Sequence, residues 1–319
     1  KFGTDWIDIV LPPAAMGPVV ALIGLELAAN TVKGGAIGAD LMAVNPEGGL
    51  MLSPTMETGD ILVFAVTLGV AVFGSVLFRG FLSVIPLLIA MICGYLTAVA
   101  AGVVDFSPLQ NVSLFTIPDF HIAKFDLNAI LTICPVILVI TAEHIGHQVV
   151  TSKIVGRDLL KEPGLHRSLL GDNLSTAFSG LFGSVPTTTY GENIGVMAVT
   201  GVYSVQVIAG AAVISILMAF IGPLSAFIAT IPGDVIGGIT FLLYGMIGTS
   251  GLRILVDKKV DYGKNRNLIL TSVVFVAGLS GLTLTFGAVS ITGMTLAAVT
   301  AVIISLLFYL LEKAGLMND

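Results

Sequence analysis

Charged residues are scarce in this sequence, and so are cysteines. Only 11% of the residues are Asp, Glu, Lys or Arg, whereas a soluble globular domain carries about 25%. An ordinary soluble domain is therefore excluded. The only two cysteines, Cys93 and Cys134, both fall within apolar runs, so neither a disulfide framework nor a zinc-ligand spacing is present. We interpret both cysteines as small buried residues.

The sequence consists largely of long apolar runs. The chain is 55% hydrophobic, and its mean hydropathy is +1.01. A run of about 20 apolar residues is long enough to cross a bilayer. The pattern predicts an all-α polytopic membrane protein with about ten spans. Two of the predicted spans are short and lie near residues 168–184 and 192–201. The other eight are clear and lie near residues 8–29, 60–78, 81–103, 127–150, 203–222, 233–252, 267–285 and 291–311.

The basic residues are concentrated in a few loops. Residues 151–167 and 253–266 hold nine of the fourteen lysines and arginines, and Lys313 follows the last span. The loops 30–59 and 104–126 hold one lysine each. Because positive loops face the cytoplasm, we expect the basic loops and the C-terminus on that side and the other two loops outside.

The two short segments flank a polar stretch that interrupts the helical pattern. Pro186 and residues 187–190 are suited to a short extended piece, and Gly191 permits close approach of backbone. We therefore predict a broken helix with a short strand near residues 186–192. Residues 192–200 then predict a half-helix, whose N-terminus presents free backbone N–H groups and a positive dipole end. In transporters, interrupted segments of this kind often meet at a site in mid-membrane.

Two carboxylates and a histidine occur where a membrane protein tolerates them least. Glu143 and His147 are about 40° apart in angle and about 6 Å apart in rise on a helix, so they share a face. Glu192 opens the half-helix. A charged group at mid-bilayer costs roughly 2.5–3.5 kcal/mol on insertion scales, and such residues usually face a cavity, a partner or a transport path. The group suits a proton-coupled carrier, and the alternatives are a structural Glu–His pair between helices and a helix cap at Glu192.

Other polar residues of the spans have simpler interpretations. His144 points to a different face from Glu143, so we interpret it as a packing histidine. Asp172 and Asn173 lie close to a basic loop, where a helix-end interaction with Lys or Arg is favoured. The threonines at 187–189 suit ligand binding and helix cross-linking equally. Glu26 is expected to reach the membrane interface.

Several motifs carry a family resemblance. Residues 190–195, Tyr-Gly-Glu-Asn-Ile-Gly, followed by Thr200-Gly201, resemble the signature of the nucleobase–ascorbate transporter family (nucleobase:cation symporters). Residues 142–147, Ala-Glu-His-Ile-Gly-His, look like a segment of the eighth span of that family. The resemblance covers essentially the whole chain. Further motifs are similar to the bacterial uracil-carrying branch, and they lie at residues 12–17, 74–80 and 259–262.

The resemblance implies a fold of fourteen spans in two inverted repeats, in which a core domain carries the substrate and moves against a gate domain. This chain matches spans five to fourteen, and we expect spans one to four to lie outside it. On that pattern, residues 1–126 and 231–319 belong to the gate domain and 127–230 to the core domain with the substrate site. The implied location is the bacterial inner membrane, with a multi-pass topology and a homodimer formed through the gate domain.

The resemblance also implies roles for single residues. Glu192 favours uracil, because purine carriers of the family typically have Gln at this position and a carboxylate accepts the two-point donor pattern of a pyrimidine N–H edge. The implied site residues are Glu143, Glu192, Tyr190 and Gly191 for substrate binding, His147 with Glu143 for proton coupling, and Asn193 and Thr189 in support.

The expected function is proton-coupled symport of uracil by alternating access, in a protein surrounded by membrane lipids. Protons are the coupling ion, and no other cofactor, no metal and no nucleic acid are expected. A purine carrier for xanthine or urate remains an alternative, as does a sulfate or bicarbonate carrier of related fold, although two acidic residues disfavour an anion. A zinc protease would need His-Glu-x-x-His, whereas residues 143–147 have the order Glu-His-x-x-His, so an enzyme is not expected.

Overall fold

The computed structural model describes residues 5–32, 42–44, 50–52, 57–134, 136–287 and 289–317. Within these residues the chain is mostly helical, with two small antiparallel hairpins, β1 (Met42–Val44) with β2 (Leu50–Leu52) and β3 (Thr283–Phe286) with β4 (Val289–Thr292). The helices are α1 (Asp5–Val10), α2 (Pro13–Val32), α3 (Thr58–Leu77), α4 (Pro86–Ala101), α5 (Leu127–Ile133), α6 (Val136–Val155), α7 (Leu165–Leu181), α8 (Gly191–Thr200), α9 (Val205–Ala219), α10 (Gly222–Ala229), α11 (Gly233–Asp257), α12 (Asn265–Leu279) and α13 (Gly293–Lys313).

Three helices in the described part of the chain are long and apolar enough to cross a membrane: α3, α11 and α13. Four shorter apolar stretches are Pro13–Ala28, α4, α9 and α12. Large apolar side chains point outward from these helices, such as Phe73 and Val76 of α3. Because water is a poor solvent for such a surface and lipid hydrocarbon a good one, the architecture is that of a polytopic membrane protein.

Two of the predicted spans are broken. The predicted span 8–29 is interrupted at Leu11 and Pro12, and α2 begins at Pro13, where the missing N–H of proline costs nothing. The predicted span 127–150 is divided between α5 and α6. Cys134 directly follows α5 and is exposed, and Cys93 of α4 is half-buried. The interpretation of Cys134 as a buried residue is therefore wrong, because it lies on the surface at the end of its helix, and Cys93 is only partly covered by its neighbours.

The predicted span 267–285 also ends early, because a hairpin follows it. Helix α12 stops at Leu279, and Thr283 and Leu284 then pair with Thr292 and Ile291. The hairpin sequence is rich in β-branched residues, which favour strands. Gly287 has a φ of +63° in the turn, a conformation that glycine adopts without steric cost.

Glycines allow α2 and α11 to touch along their backbones. A Cβ atom at Gly24 would overlap the carbonyl oxygen of Tyr244 and the backbone nitrogen of Gly248. A Cβ at Gly251 would likewise overlap the backbone of Ala21. Small residues at such contacts let two helices approach closely in a membrane, so these glycines have a packing role.

A buried threonine joins α3, α4 and α11. Thr67 is fully buried, and its Oγ1 donates a hydrogen bond to the carbonyl oxygen of Val63, 2.7 Å away. Gly94 of α4 and Gly238 of α11 both face Thr67, and a Cβ on either would collide with its side chain. The hydroxyl is satisfied within its own helix, so this polar side chain is buried without an unpaired donor.

The apolar core lies between α2, α12 and α13, where Val19, Leu22 and Leu270 are buried together. A polar contact ties α13 to this core. Glu26 of α2 is half-buried, and its Oε2 accepts a hydrogen bond of 2.6 Å from the backbone N–H of Met294 in the first turn of α13. Glu26 therefore caps the start of α13, because the free N–H groups of a helix start are a favourable partner for a carboxylate.

Candidate functional site

Helix α6 has two polar faces. Glu143 and His147 are half-buried on one of them, while His144 is 1% exposed and shares the other with Gln148. A spacing of four residues keeps each pair on one face of the helix. The two faces are about 100° apart around the helix axis. The helix packs against both α7 and α8, so the two faces have different neighbours.

His147 contacts the segment that precedes α8. Its Nδ1 lies 2.9 Å from Oγ1 of Thr189, in a hydrogen bond whose donor depends on the tautomer. Its Nε2 would lie 3.6 Å from a Cβ atom placed on Gly191. His147 of α6 therefore contacts the interrupted segment, and the predicted site contains both.

Hydroxyl groups of α7 fix the interrupted segment. Oγ1 of Thr176 donates to the carbonyl oxygen of Thr187 at 2.6 Å, and Oγ1 of Thr187 donates to Oγ of Ser175 at 2.9 Å. Oγ of Ser179 donates to the carbonyl oxygen of Val185 at 2.5 Å. Thr187 thus cross-links protein segments.

The segment itself has no helical structure. Residues 184–190 are irregular, and Tyr190 has extended backbone angles, with φ −105° and ψ 130°. A strand was predicted near 186–192, but in the described part of the chain nothing pairs with this segment. An extended backbone becomes a strand only when a neighbour supplies ladder hydrogen bonds.

Helix α8 is the predicted half-helix. It begins at Gly191, one residue before the predicted start, and it ends at Thr200, with Gly201 in the left-handed region at φ +67°. The side chain of Tyr190 is 58% exposed, and Asn193 is also exposed. Glu192 is the second residue of α8, and its side chain lies outside the described part of the structure. The first backbone N–H groups of α8 have no partner within the helix.

The second face of α6 is bonded to α7. His144 Nε2 and Gln148 Nε2 each lie 2.6 Å from Oγ of Ser168. Nδ1 of His144 lies 3.2 Å from Oδ2 of Asp172, a polar contact whose geometry is not that of a hydrogen bond. His144 is thus a packing histidine, as predicted.

Asp172 was expected to interact with Lys or Arg, and that expectation is wrong. The carboxylate contacts His144 instead, because it lies one turn beyond Ser168 on the face of α7 that meets α6. Asn173 points elsewhere, and its Nδ2 donates to the carbonyl oxygen of Leu169 in its own helix. Ser168 and Gln148 were not predicted as site residues. The spacing of four residues, between His144 and Gln148 and between Ser168 and Asp172, was nevertheless a visible signal.

Metal-ligand clusters and grooves elsewhere in the described residues bear on where a ligand can bind. The described residues contain no group of three or more His, Cys, Asp or Glu that could hold a metal ion. A groove of about 710 Å³ lies between α12, β3 and α13, with a mainly apolar lining that includes Val276, Leu284 and Leu296. None of its lining residues belongs to α6, α7 or α8.

Comparisons with known proteins agree with this architecture. Residues 1–286 match the model of a family described as "Permease family". A "Uracil permease" of Escherichia coli K12 is 50% identical over 312 residues, which cover 98% of this chain and 70% of that protein. A "Uracil permease" of Paenibacillus larvae is 49% identical over 99% of this chain and 73% of its own length, and one of Bacillus subtilis is 44% identical over 96% and 70%.

The apolar helices are those of an integral membrane protein. The chain belongs to the Permease family. Members of this family are transporters and not enzymes.

Proposed function

We propose that this permease carries uracil across the bacterial plasma membrane in symport with protons. The observation that carries the proposal is the contact of His147 with Thr189 and Gly191, which unites the ionisable face of α6 with the interrupted segment. The identity of 44–50% to three proteins named uracil permease supports the choice of substrate. A similarity of 36% to a "Putative pyrimidine permease RutG" of Escherichia coli points to the same class of substrate.

Uracil has two ring N–H donors and two carbonyl acceptors, and the site offers partners for both. The carboxylates of Glu143 and Glu192 accept from the N–H groups. The backbone N–H groups at the start of α8, from Gly191 onward, donate to a uracil carbonyl. Tyr190 contributes its backbone, and Asn193 and Thr189 support the segment.

Proton coupling depends on Glu143 and His147. The two groups lie one turn apart on α6, where a proton can pass between a carboxylate and an imidazole. Thr189 holds Nδ1 of His147, so Nε2 is the ring nitrogen on the side of Gly191. Proton uptake and uracil binding together favour inward movement of the site.

Alternating access requires two domains that move relative to each other. We assign residues 127–230 to a core domain and residues 1–126 and 231–319 to a gate domain, in a fold of fourteen spans with two inverted repeats. The mutual packing of α2, α3 and α4 with α11, α12 and α13 supports the gate assignment. The gate domain provides the homodimer interface, and the C-terminus faces the cytoplasm.

Uptake of radiolabelled uracil into proteoliposomes tests this proposal. Uptake should rise with an inward proton gradient, collapse with a protonophore, and be competed by uracil but not by sulfate. Uptake of radiolabelled xanthine without uptake of radiolabelled uracil would assign the protein to the purine carriers. Uracil uptake that does not depend on the proton gradient would contradict the symport mechanism but not the assignment of uracil as the substrate.

A further inference from the structure

The surface of α7 is inverted relative to a helix of a soluble protein. Its half-buried positions are largely polar, and its outward side chains are large and apolar. The half-buried polar residues are Ser168, Asp172, Thr176 and Ser179, and the exposed apolar ones are Leu170, Leu174, Phe178 and Leu181. Their spacings of three and four residues place each set on one face. The buried polar face therefore requires partners within the protein.

One half of the polar face fixes α6. Oγ of Ser168 is the common partner of His144 and Gln148, and Asp172 lies beside the other ring nitrogen of His144. Rotation of α6 about its axis would break these buried contacts, and each unsatisfied buried polar group is costly. The contacts therefore fix the direction in which the Glu143 and His147 face points.

The other half of the polar face fixes the segment before α8. Thr176 and Ser179 donate to the carbonyl oxygens of Thr187 and Val185, and Ser175 accepts from the hydroxyl of Thr187. Two residues after Thr187, Thr189 bonds to His147. Helix α7 is thus in contact with both sides of the site through one continuous row of hydroxyl and carboxylate groups.

We propose that α7 is the positioning helix of the site, and that Ser168 and Thr176 are positioning residues which set the spacing between His147 on α6 and residues 189–191. Neither side chain needs to touch the substrate. The proposal rests on the proposed function only for the identity of the ligand, because the spacing itself is a property of the protein.

The test compares variants of α7 by uracil affinity and by the ring signal of His147. Ser168→Ala and Thr176→Val remove one hydrogen-bonding group each from the polar face. We expect each to raise the Kd for uracil about tenfold, the effect of losing one intramolecular hydrogen bond. Thr176→Ser keeps the hydroxyl and should restore the affinity. Asn173→Ala is the matched control, because Asn173 is an exposed residue of the same helix that bonds only to its own backbone in the described contacts.

Nuclear magnetic resonance of ring-labelled histidine supplies a measurement that is independent of uracil. This chain has four histidines, and a His147→Gln sample assigns the His147 signal. At fixed pH without ligand, the signal should move in Ser168→Ala and Thr176→Val and stay in place in Asn173→Ala and Thr176→Ser.

The outcomes separate the two proposals. A His147 signal that moves as expected, in a protein that binds no uracil, supports the positioning role and contradicts the proposed function. Ser168→Ala and Thr176→Val could instead lower the thermal stability while their His147 signal and uracil Kd equal those of the Asn173→Ala control. That result would overturn the positioning role and show that α7 serves packing alone.

Discussion

Nδ1 of His147 lies 2.9 Å from Oγ1 of Thr189, which joins two residues 42 positions apart in the chain. The bond crosses from the middle of α6 to the irregular segment before α8. It fixes the plane of the imidazole and places Nε2 on the side of Gly191. The imidazole is therefore held by a neutral hydroxyl, which can donate to a ring nitrogen or accept from it.

Thr189→Val should weaken uracil binding about fivefold while leaving the fold intact. Valine keeps the shape of threonine but removes the hydroxyl, and one hydrogen bond contributes about 1 kcal/mol. A double-mutant cycle with His147→Gln should give a coupling energy of about 0.5–1.5 kcal/mol, measured from uracil Kd values. Thr200→Val is the control, because the hydroxyl of Thr200 bonds to the local backbone of Val196 and Val202. Additive effects of Thr189→Val and His147→Gln would show that the contact has no role in binding.

Gly191→Ala should weaken uracil binding by about tenfold without loss of stability. A methyl group there would lie 3.6 Å from Nε2 of His147, an ordinary contact, and alanine is a better helix former than glycine. The methyl group would nevertheless occupy the space beside Nε2 and the first N–H groups of α8. Gly195→Ala, on the same helix with open space around it, should bind uracil as the unchanged protein does. Equal affinity of the two variants would place the ligand elsewhere.

Glu143→Gln should abolish the pH dependence of uracil uptake and reduce affinity at least about tenfold. The amide has nearly the shape of the carboxylate, but it cannot take up a proton and it offers less acceptor capacity. The measurement is initial uptake into proteoliposomes at several external pH values. Glu162→Gln makes the same chemical change at an exposed residue and should behave as the unchanged protein. Normal pH-dependent uptake by Glu143→Gln would remove this residue from the coupling mechanism.

The meeting of α6 with the interrupted segment was predictable from the sequence for identifiable physical reasons. A helix spacing of four placed Glu143 and His147 on one face. Ionisable groups in apolar runs indicate function, and Gly191 after a proline and three threonines indicated a break in the helical pattern. The contact of His147 with Thr189 confirms that these elements lie together.

The hydrogen-bonding role of α7 was not predictable from the same reasoning. Asp172 is near a basic loop in the sequence, so a partner among its lysines and arginines was the simplest expectation. Its actual partner, His144, is determined by how α6 and α7 pack, which a single sequence does not state. The hairpin of β3 and β4 was missed for a similar reason, because Leu282 and Leu284 continue the hydrophobic run of α12.

Gly24→Ala should destabilise the protein by about 1–3 kcal/mol, the usual cost of overpacking. Its methyl group would overlap backbone atoms of Tyr244 and Gly248, and backbone cannot move aside as a flexible side chain does. Gly245→Ala changes the same residue type in α11, where the added methyl meets open space. Thermal unfolding of the purified protein in one detergent should give a clearly lower Tm for Gly24→Ala and a Tm near that of the unchanged protein for Gly245→Ala. The same Tm for both variants would mean that α2 and α11 separate easily at this contact, in conflict with a rigid gate domain.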